Sequence, residues 1–474
     1  MTGKYIFYDF ETSGRNSDWD QILQLGAILT NDKFEEIDRF ETKCYLKPGH
    51  IPSAQALMVN KITVKDLMST NLSHYELIKQ IEKKFRSWGP AIFIGYNSLN
   101  FDEEFLRKSF FKSLYDPYLT SNNGNKRADL LGLIRAVKTY NPEIIKFPYD
   151  EKGNTIFKLD KLAPINGVID FKAHDAMGDT FATMKLAELI NDQDKKLWES
   201  SLETTNREDT NLTIEKHRTF CITESFFGKT LPYVVCFVCY HPVYKWAQGF
   251  DLKNDPAKYQ NLSIELLEHA MSTSPKIIRS IKNNKHPIIL NKEYISILKE
   301  YSHLSTKELL SRAEKIEKDE EFRQKVRIIL DKQASIKEDN LSQLDVSHEE
   351  TIYFGFASNA EKDIMKEFHL TDWENKLKIA NKFKEERHFY FAERLIYEEN
   401  PQYLPGDLYK KINRNIANQI LSNNDEKWNT IPKVYKEIDD LRNKYEEENN
   451  GENLKILDDL NNFIEDIEKK FQEA

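Results

Sequence analysis

The chain predicts a mixed α/β domain at its N-terminal end, a β-rich segment after it and a helical C-terminal region. Three observations carry this. Residues 5–46 hold three apolar runs, Tyr5–Phe10, Ile22–Leu29 and Phe40–Leu46, joined by short polar links such as Asn31-Asp32-Lys33, the pattern of three antiparallel strands. From residue 74 onward, stretches with apolar residues four apart alternate with short strand-like runs. At 474 residues, 40% hydrophobic and 31% charged, the chain is globular yet too long for one core, so two or three domains are expected.

Taken in order, Tyr5–Phe10 reads as a buried strand in which alternate side chains share a face. Tyr5 and Phe7 lie on the face of Asp9 and Glu11, while Ile6, Tyr8 and Phe10 line the other. A helix is expected over His74–Trp88, with Leu77, Ile81 and Phe85 four apart and Gly89-Pro90 ending it. Ala91–Tyr96 reads as a strand, followed by helices from about Asp102 to Ser113 and from Ala128 to Tyr140, the latter stopping before Pro142. The last helix of this part, Asp175 to Ile190, opens with Asp175 in the N-cap position. Strands are expected next at Thr219–Ile222, Tyr233–Tyr240 and Trp246–Leu252, and helices at Ser263–Met271 and Thr306–Lys332. Beyond Glu350 the pattern is helical, at Trp373–Phe391 and Lys433–Phe471, the second broken at Asn449-Asn450-Gly451-Glu452. These textures divide the chain at 1–194, 195–347 and 348–474. The first part has the order of a ribonuclease-H-like α/β domain.

Composition excludes several classes. No apolar run reaches the roughly 20 residues of a membrane helix, and no apolar leader precedes the first strand, so a cytoplasmic protein is expected. Cys236 and Cys239 form a CxxC within an apolar strand, where they should point to opposite faces; buried thiols are expected rather than a zinc site. The net charge of −9 is mildly unfavourable to a nucleic-acid partner. Against it stand Lys276, Arg279, Lys282 and Lys285, with no acid between them, a candidate path for a phosphate backbone through Lys282 and Lys285. The alternative is a solvated helix face.

The chemistry is concentrated in acids. Asp9 and Glu11 sit two apart on a buried strand, where like charges are costly unless a hard cation neutralises them; the alternative is an exposed edge strand. Asp102 begins a helix, where a carboxylate also suits the helix dipole. His174 and Asp179, five residues apart, would diverge by about 140° on one helix. With Asp175 as N-cap, His174 is left in the loop and Asp179 heads the apolar stripe of Ala182, Leu186 and Leu189. Four carboxylates from separate segments can hold two Mg2+ ions that clamp the attacking and leaving oxygens of a phosphoryl displacement, with a neutral histidine taking the proton of the attacking water.

This set, Asp-x-Glu, Asn-x-x-x-Phe-Asp and His-x-x-x-x-Asp, resembles the DEDDh exonucleases. Phe7-Tyr-Asp-Phe-Glu-Thr12, Gly95-Tyr-Asn-Ser-Leu-Asn-Phe-Asp-Glu-Glu104, Tyr115-Asp-Pro-Tyr118 and Ala173-His-Asp-Ala-Met-Gly-Asp179 are similar to the bacterial exonuclease I family, with thinner landmarks at Ser225–Gly228, Tyr240-His-Pro242, Asn284-Lys-His-Pro287 and Tyr353-Phe-Gly-Phe356. The resemblance implies a ribonuclease-H-like exonuclease domain, an SH3-like β-containing domain and an all-helical C-terminal domain that close over the strand. It implies processive 3′→5′ hydrolysis of single-stranded DNA to 5′-mononucleotides in DNA repair and recombination. Asp9, Glu11, Asp102 and Asp179 become ligands of two Mg2+ ions, with Mn2+ able to substitute, and His174 becomes the general base. Glu11, Arg107, Tyr118, Arg135, Phe157 and Lys158 become DNA contacts, although Lys158 stands where the family pattern has arginine. The implied partners are single-stranded DNA and a single-stranded-DNA-binding protein, with a monomeric chain and no membrane. Other readings of the same residues are a nuclease acting on RNA or polymerase primer ends, and a non-catalytic binder. Solvated helix faces for Arg107 and Arg135, and a core-packed Phe157, are the structural alternatives.

Overall fold

Strand β1 (Lys4–Thr12) forms the middle of a five-stranded sheet with β2 (Ile22–Asn31), β3 (Glu36–Lys43), β4 (Ile92–Gly95) and β5 (Lys126–Asp129). The strand order is β3-β2-β1-β4-β5, antiparallel from β3 to β1 and parallel from β1 to β5. The computed structural model describes residues 3–226, 228–341 and 346–473. Period-two alternation sorts β1 as its sequence requires. Tyr5 and Phe7 pack with Ile28 and Phe34 on one side; Ile6, Tyr8 and Phe10 pack with Phe85, Phe93 and Phe105 on the other.

Seven helices complete this part: α1 (Ala54–Asn60), α2 (Val64–Met68), α3 (His74–Trp88), α4 (Asp102–Lys112), α5 (Leu130–Tyr140), α6 (Leu159–Ile165) and α7 (Ala176–Gln193). The helix over 74–88 has the expected bounds, with Ser73 accepting the Glu76 N–H at 3.1 Å as its cap. Two boundaries differ from expectation. The third strand is the polar edge Glu36–Lys43, and beyond it Cys44 enters the core shared with α3 while Leu46 enters the core shared with α1. The helix expected from Ala128 starts at Leu130, because Lys126–Asp129 pairs with β4 and Asp129 caps the helix through the Leu131 N–H.

After α8 (Lys195–Leu202) and α9 (Arg207–His217) comes an antiparallel sheet of β6 (Thr219–Phe226), β7 (Lys229–Tyr240), β8 (Ala247–Asp251) and β9 (Ile278–Ile281), in that order. Helices α10 (Ile264–Ser272), α11 (Thr306–Lys318) and α12 (Glu320–Leu341) accompany it. The expected single helix 306–332 is broken at Asp319, which accepts the Phe322 N–H at 2.9 Å. A bulge between Phe237 and Cys239 shifts the register, so Cys236 and Cys239 enter the same core rather than facing apart. All four thiols are free and buried. Phe227, within the Ser225–Gly228 landmark, lies outside the described residues.

The C-terminal part is helical: α13 (Asn359–Leu370), α14 (Lys376–Ala380), α15 (Glu386–Glu399), α16 (Gly406–Ile420), α17 (Ile431–Glu447) and α18 (Gly451–Gln472). The last two pack on each other across a turn holding Asn449 at φ 53°. The stretch 373–391 is interrupted between α14 and α15. One apolar core joins α1 and α2 to these helices, through Leu57, Ile62 and Leu67 against Ile416, Leu457 and Ile464. Among the described residues no helix is long and apolar enough to cross a membrane.

Candidate active site

The end of β1, the start of α4 and the start of α7 meet at one point. Asp102 is the first residue of α4, and its Oδ1 accepts the Phe10 N–H at 3.0 Å, tying the helix to the strand between Asp9 and Glu11. The loop before it is fastened by Asp129, which accepts the Asn97 N–H at 2.9 Å. Asp175 caps α7 through the Gly178 N–H, leaving His174 in the preceding loop at φ 60°. Gly26, opposite Asp9 in the ladder, lets α7 approach: a Cβ there would lie 2.4 Å from the Ala176 and Met177 backbone. Thr180 completes the seating by donating its hydroxyl to the Gly26 carbonyl at 2.9 Å.

This arrangement brings carboxylate oxygens of Asp9, Glu11 and Asp179 within 4.8 Å of one another. Together with Asp102 and His174 they line a cleft of about 460 Å³. Burial, followed by repulsion from Asp179 and Asp102, pushes Glu11 up to about 8. Burial also raises Asp102 to about 8, against the stabilising Phe10 N–H. Asp179 rises to about 7 by burial, against the N–H of His174. Burial and the surrounding acids hold Asp9 well above its usual value. One oxygen of Asp179 is buried with no hydrogen-bond partner among the described residues. Clustered hard oxygens, mutually repelling and one of them orphaned, fit divalent cations, which would remove both costs.

The expected nucleic-acid contacts fall into three groups. The Arg107 guanidinium lies 5.1 Å from the Tyr118 ring and is paired with Glu103 at 2.9 Å, so it is buried rather than solvated. Arg135 lies 5.7 Å from the Phe157 ring and is only half-buried. Phe157 also packs edge-on against Phe147 in the core, and its carbonyl accepts the hydroxyl of Tyr96, a residue of the cleft wall. Lys158 beside it is exposed.

The basic run is not a helix face. Arg279 on β9 is buried, paired with Glu224 at 2.9 Å and stacked 3.7 Å from the Tyr233 ring. Lys285 pairs with Glu104 of α4 at 3.0 Å and bonds the Leu99 carbonyl. Of the two expected contacts here, Lys282 remains exposed, 5.1 Å from the Trp246 ring. Acids distant in sequence occupy the neighbours of this acid-free run.

Sequence reasoning missed Glu103, which is fully buried and receives Thr120 at 2.6 Å, Arg127 at 3.0 Å and Arg107. Burial opposes its charge, but Arg127 and Arg107 hold its carboxyl below the usual range. The Glu103–Arg107 spacing of four on a helix was its only signal. Also missed were Gly26, Tyr96 and the C-terminal residues Lys427, Asn429 and Lys433, which line the same cleft from another domain.

Comparison with known proteins agrees with this geometry. Residues 6–187 match the model of the exonuclease family, and residues 345–467 match that of the exonuclease I C-terminal domain. Exodeoxyribonuclease I of Haemophilus influenzae is 33% identical over 207 residues, 43% of this chain and 44% of the relative. That of Buchnera aphidicola subsp. Schizaphis graminum is 31% identical over 230 residues, 47% of each. The aligned part thus spans about half the length of these curated relatives. The fold extends further: Escherichia coli exonuclease I in complex with a dA16 oligonucleotide superposes with a TM-score of 0.82 at 21% identity, over 98% of this chain and 99% of that one. The chain thus carries a domain matching the exonuclease family, followed by one matching the exonuclease I C-terminal domain, in the fold of the solved exonuclease I structures.

Proposed function

We propose that this chain is a 3′→5′ exodeoxyribonuclease that shortens single-stranded DNA processively and releases 5′-mononucleotides. The observation that carries this reading is the cluster of Asp9, Glu11 and Asp179 oxygens within 4.8 Å, in a cleft shared with Asp102 and His174. Exonucleases of this domain family depend on divalent metal, and here Asp9, Glu11, Asp102 and Asp179 would hold two Mg2+ ions. Bound there, the ions would supply a polarised phosphate, an activated water and charge stabilisation at the leaving oxygen.

The protein's own groups do the rest. The four carboxylates, unfavourable when charged together, fix the cation positions relative to β1 and α4. His174, held in its loop ahead of α7, takes the proton from the attacking water. Tyr96, Phe157 and Arg135 offer faces for bases beside the cleft; Tyr118, backed by the buried Arg107, offers another. Lys158 supplies a point charge rather than a bidentate fork. The middle sheet, read as SH3-like, and the helical domain close over the strand. The protein partner proposed is single-stranded-DNA-binding protein, which a solved structure of this fold pairs with exonuclease I. The chain is read as a cytoplasmic monomer.

The deciding experiment is degradation of end-labelled single-stranded DNA and of RNA of the same sequence with Mg2+. Stepwise release of 5′-mononucleotides from the 3′ end of DNA, with RNA left intact, is the expected result. Preference for RNA, or no hydrolysis, would overturn the reading.

A further inference from the structure

Helix α17 of the C-terminal domain lies against α1 of the exonuclease domain. Glu437 of α17 accepts the Ser53 hydroxyl and the Gln55 N–H on Oε1, and the Ala54 N–H on Oε2, each at 3.0 Å. The start of α1 is therefore held by a carboxylate 383 residues away in sequence. From there α1 reaches the chemistry directly: the Asn60 amide donates to the Thr12 carbonyl at 3.0 Å, one residue beyond Glu11. The Ser53 N–H donates to the Ser13 carbonyl at 2.8 Å. Ala56, Val59 and Asn60 form a wall of the carboxylate cleft.

One turn before Glu437, on the same side of α17, Lys433 lines that cleft. Three cations do so: Arg15, Lys427 and Lys433. Lys427 is neutralised by both oxygens of Glu350 at 2.9 Å. Lys433 is exposed, and among the described residues its ammonium meets only the Glu426 carbonyl, at 3.3 Å. A cleft lined by five carboxylates, Asp20 besides the four at its base, repels a phosphodiester until cations offset them. An uncommitted lysine on the facing wall adds attraction where the strand end must enter.

We propose that α17 is a wall of the active site: Lys433 contacts a phosphate of the terminal nucleotides, and Glu437 is a positioning residue that holds α1 against the end of β1. This rests on the nuclease reading above. It makes the C-terminal domain part of the catalytic cleft itself, in addition to any grip on the rest of the strand.

The test uses the full chain and a short single-stranded DNA oligonucleotide with Mg2+. Lys433→Met should raise KM about tenfold with kcat within about twofold, the signature of a lost charged contact, and Lys433→Arg should restore it. An unchanged KM for Lys433→Met overturns the contact. Glu437→Gln keeps the shape but loses one acceptor; Glu437→Ala loses all three bonds. Hydrogen exchange over residues 54–60 should quicken in the order wild type, Gln, Ala, and kcat should fall in the same order. Unchanged exchange in both variants overturns the positioning role. A wild-type chain inert on DNA would sink the nuclease reading and the Lys433 contact with it, whereas the exchange result would still stand or fall by itself.

Discussion

Glu11, Asp102 and Asp179 carry raised values of about 8, about 8 and about 7, caused first by burial. In the unfolded chain such groups titrate near about 4. Between those limits the metal-free folded chain holds more protons than the unfolded one, so its stability is greatest at low pH and falls as pH rises toward about 8. The melting temperature in EDTA should therefore drop from pH 5 to pH 8, and Mg2+ should recover more at pH 8 than at pH 5. A flat profile unaffected by Mg2+ would remove the case for a cation site. Asp9→Ala or Asp179→Ala should abolish nearly all hydrolysis while binding of single strands persists, because the proposed contacts to bases lie elsewhere; activity within about tenfold of wild type would refute it. His174→Ala should lower turnover by about 10²–10⁴-fold with affinity nearly unchanged, since a general base acts on the water and not on the bound ground state. Collapse of affinity with normal turnover would recast His174 as a binding residue.

At the level of elements, the site depends on how closely α7 can approach β2. Gly26 permits this, since any Cβ would strike the backbone at 2.4 Å and neither element can yield without moving Asp179 or Asp9. Gly26→Ala should cost about 1–3 kcal/mol of stability by overpacking. It should also lower hydrolysis on the order of 100-fold through misplacement of Asp179. Urea unfolding and single-turnover rates check both, and a stable, fully active variant would show that α7 can shift without consequence. The N-cap of α7 was legible because it rests on one residue and its immediate neighbours. Gly26 was not, because its role depends on a helix that follows it by 150 residues.

At the scale of the molecule, the middle and C-terminal domains both fasten onto α4. Lys285 from the middle domain and Tyr353 near the start of the C-terminal domain converge on Glu104, two residues from Asp102. Lys285 is thus committed to an interdomain ion pair, and Lys282 is left, with Lys276, as an exposed cation of the run. Lys282→Ala should weaken binding of long single strands and reduce the salt slope by roughly 0.7, with cleavage of a short substrate unaffected. Lys285→Ala should instead loosen the docking and slow cleavage of short and long substrates alike. Equal behaviour of the two variants would show that this distinction is wrong.

The sequence by itself singled out the acids and the histidine that the structure gathers in one cleft. Two acids two apart on an apolar strand, an acid opening a helix and a histidine left outside an Asp175-capped helix are local patterns, and local backbone geometry suffices to aim them. Hydrophobic period also marked β1, β2, β4, α3, α4, α5 and α7 of the first domain, but not α1, α2, α6 or the short strand β5. Tertiary structure alone decided which charges are free. Arg279 and Lys285 are spent on acids brought in by other elements, Arg107 is buried against Glu103, and Cys236 and Cys239 share a core because of one bulged residue. It alone brought Lys433 to the cleft and Glu437 to the start of α1. Periodicity reports which face of an element is buried, but not what covers it; that depends on contacts between residues hundreds of positions apart, for which one sequence holds no local signal.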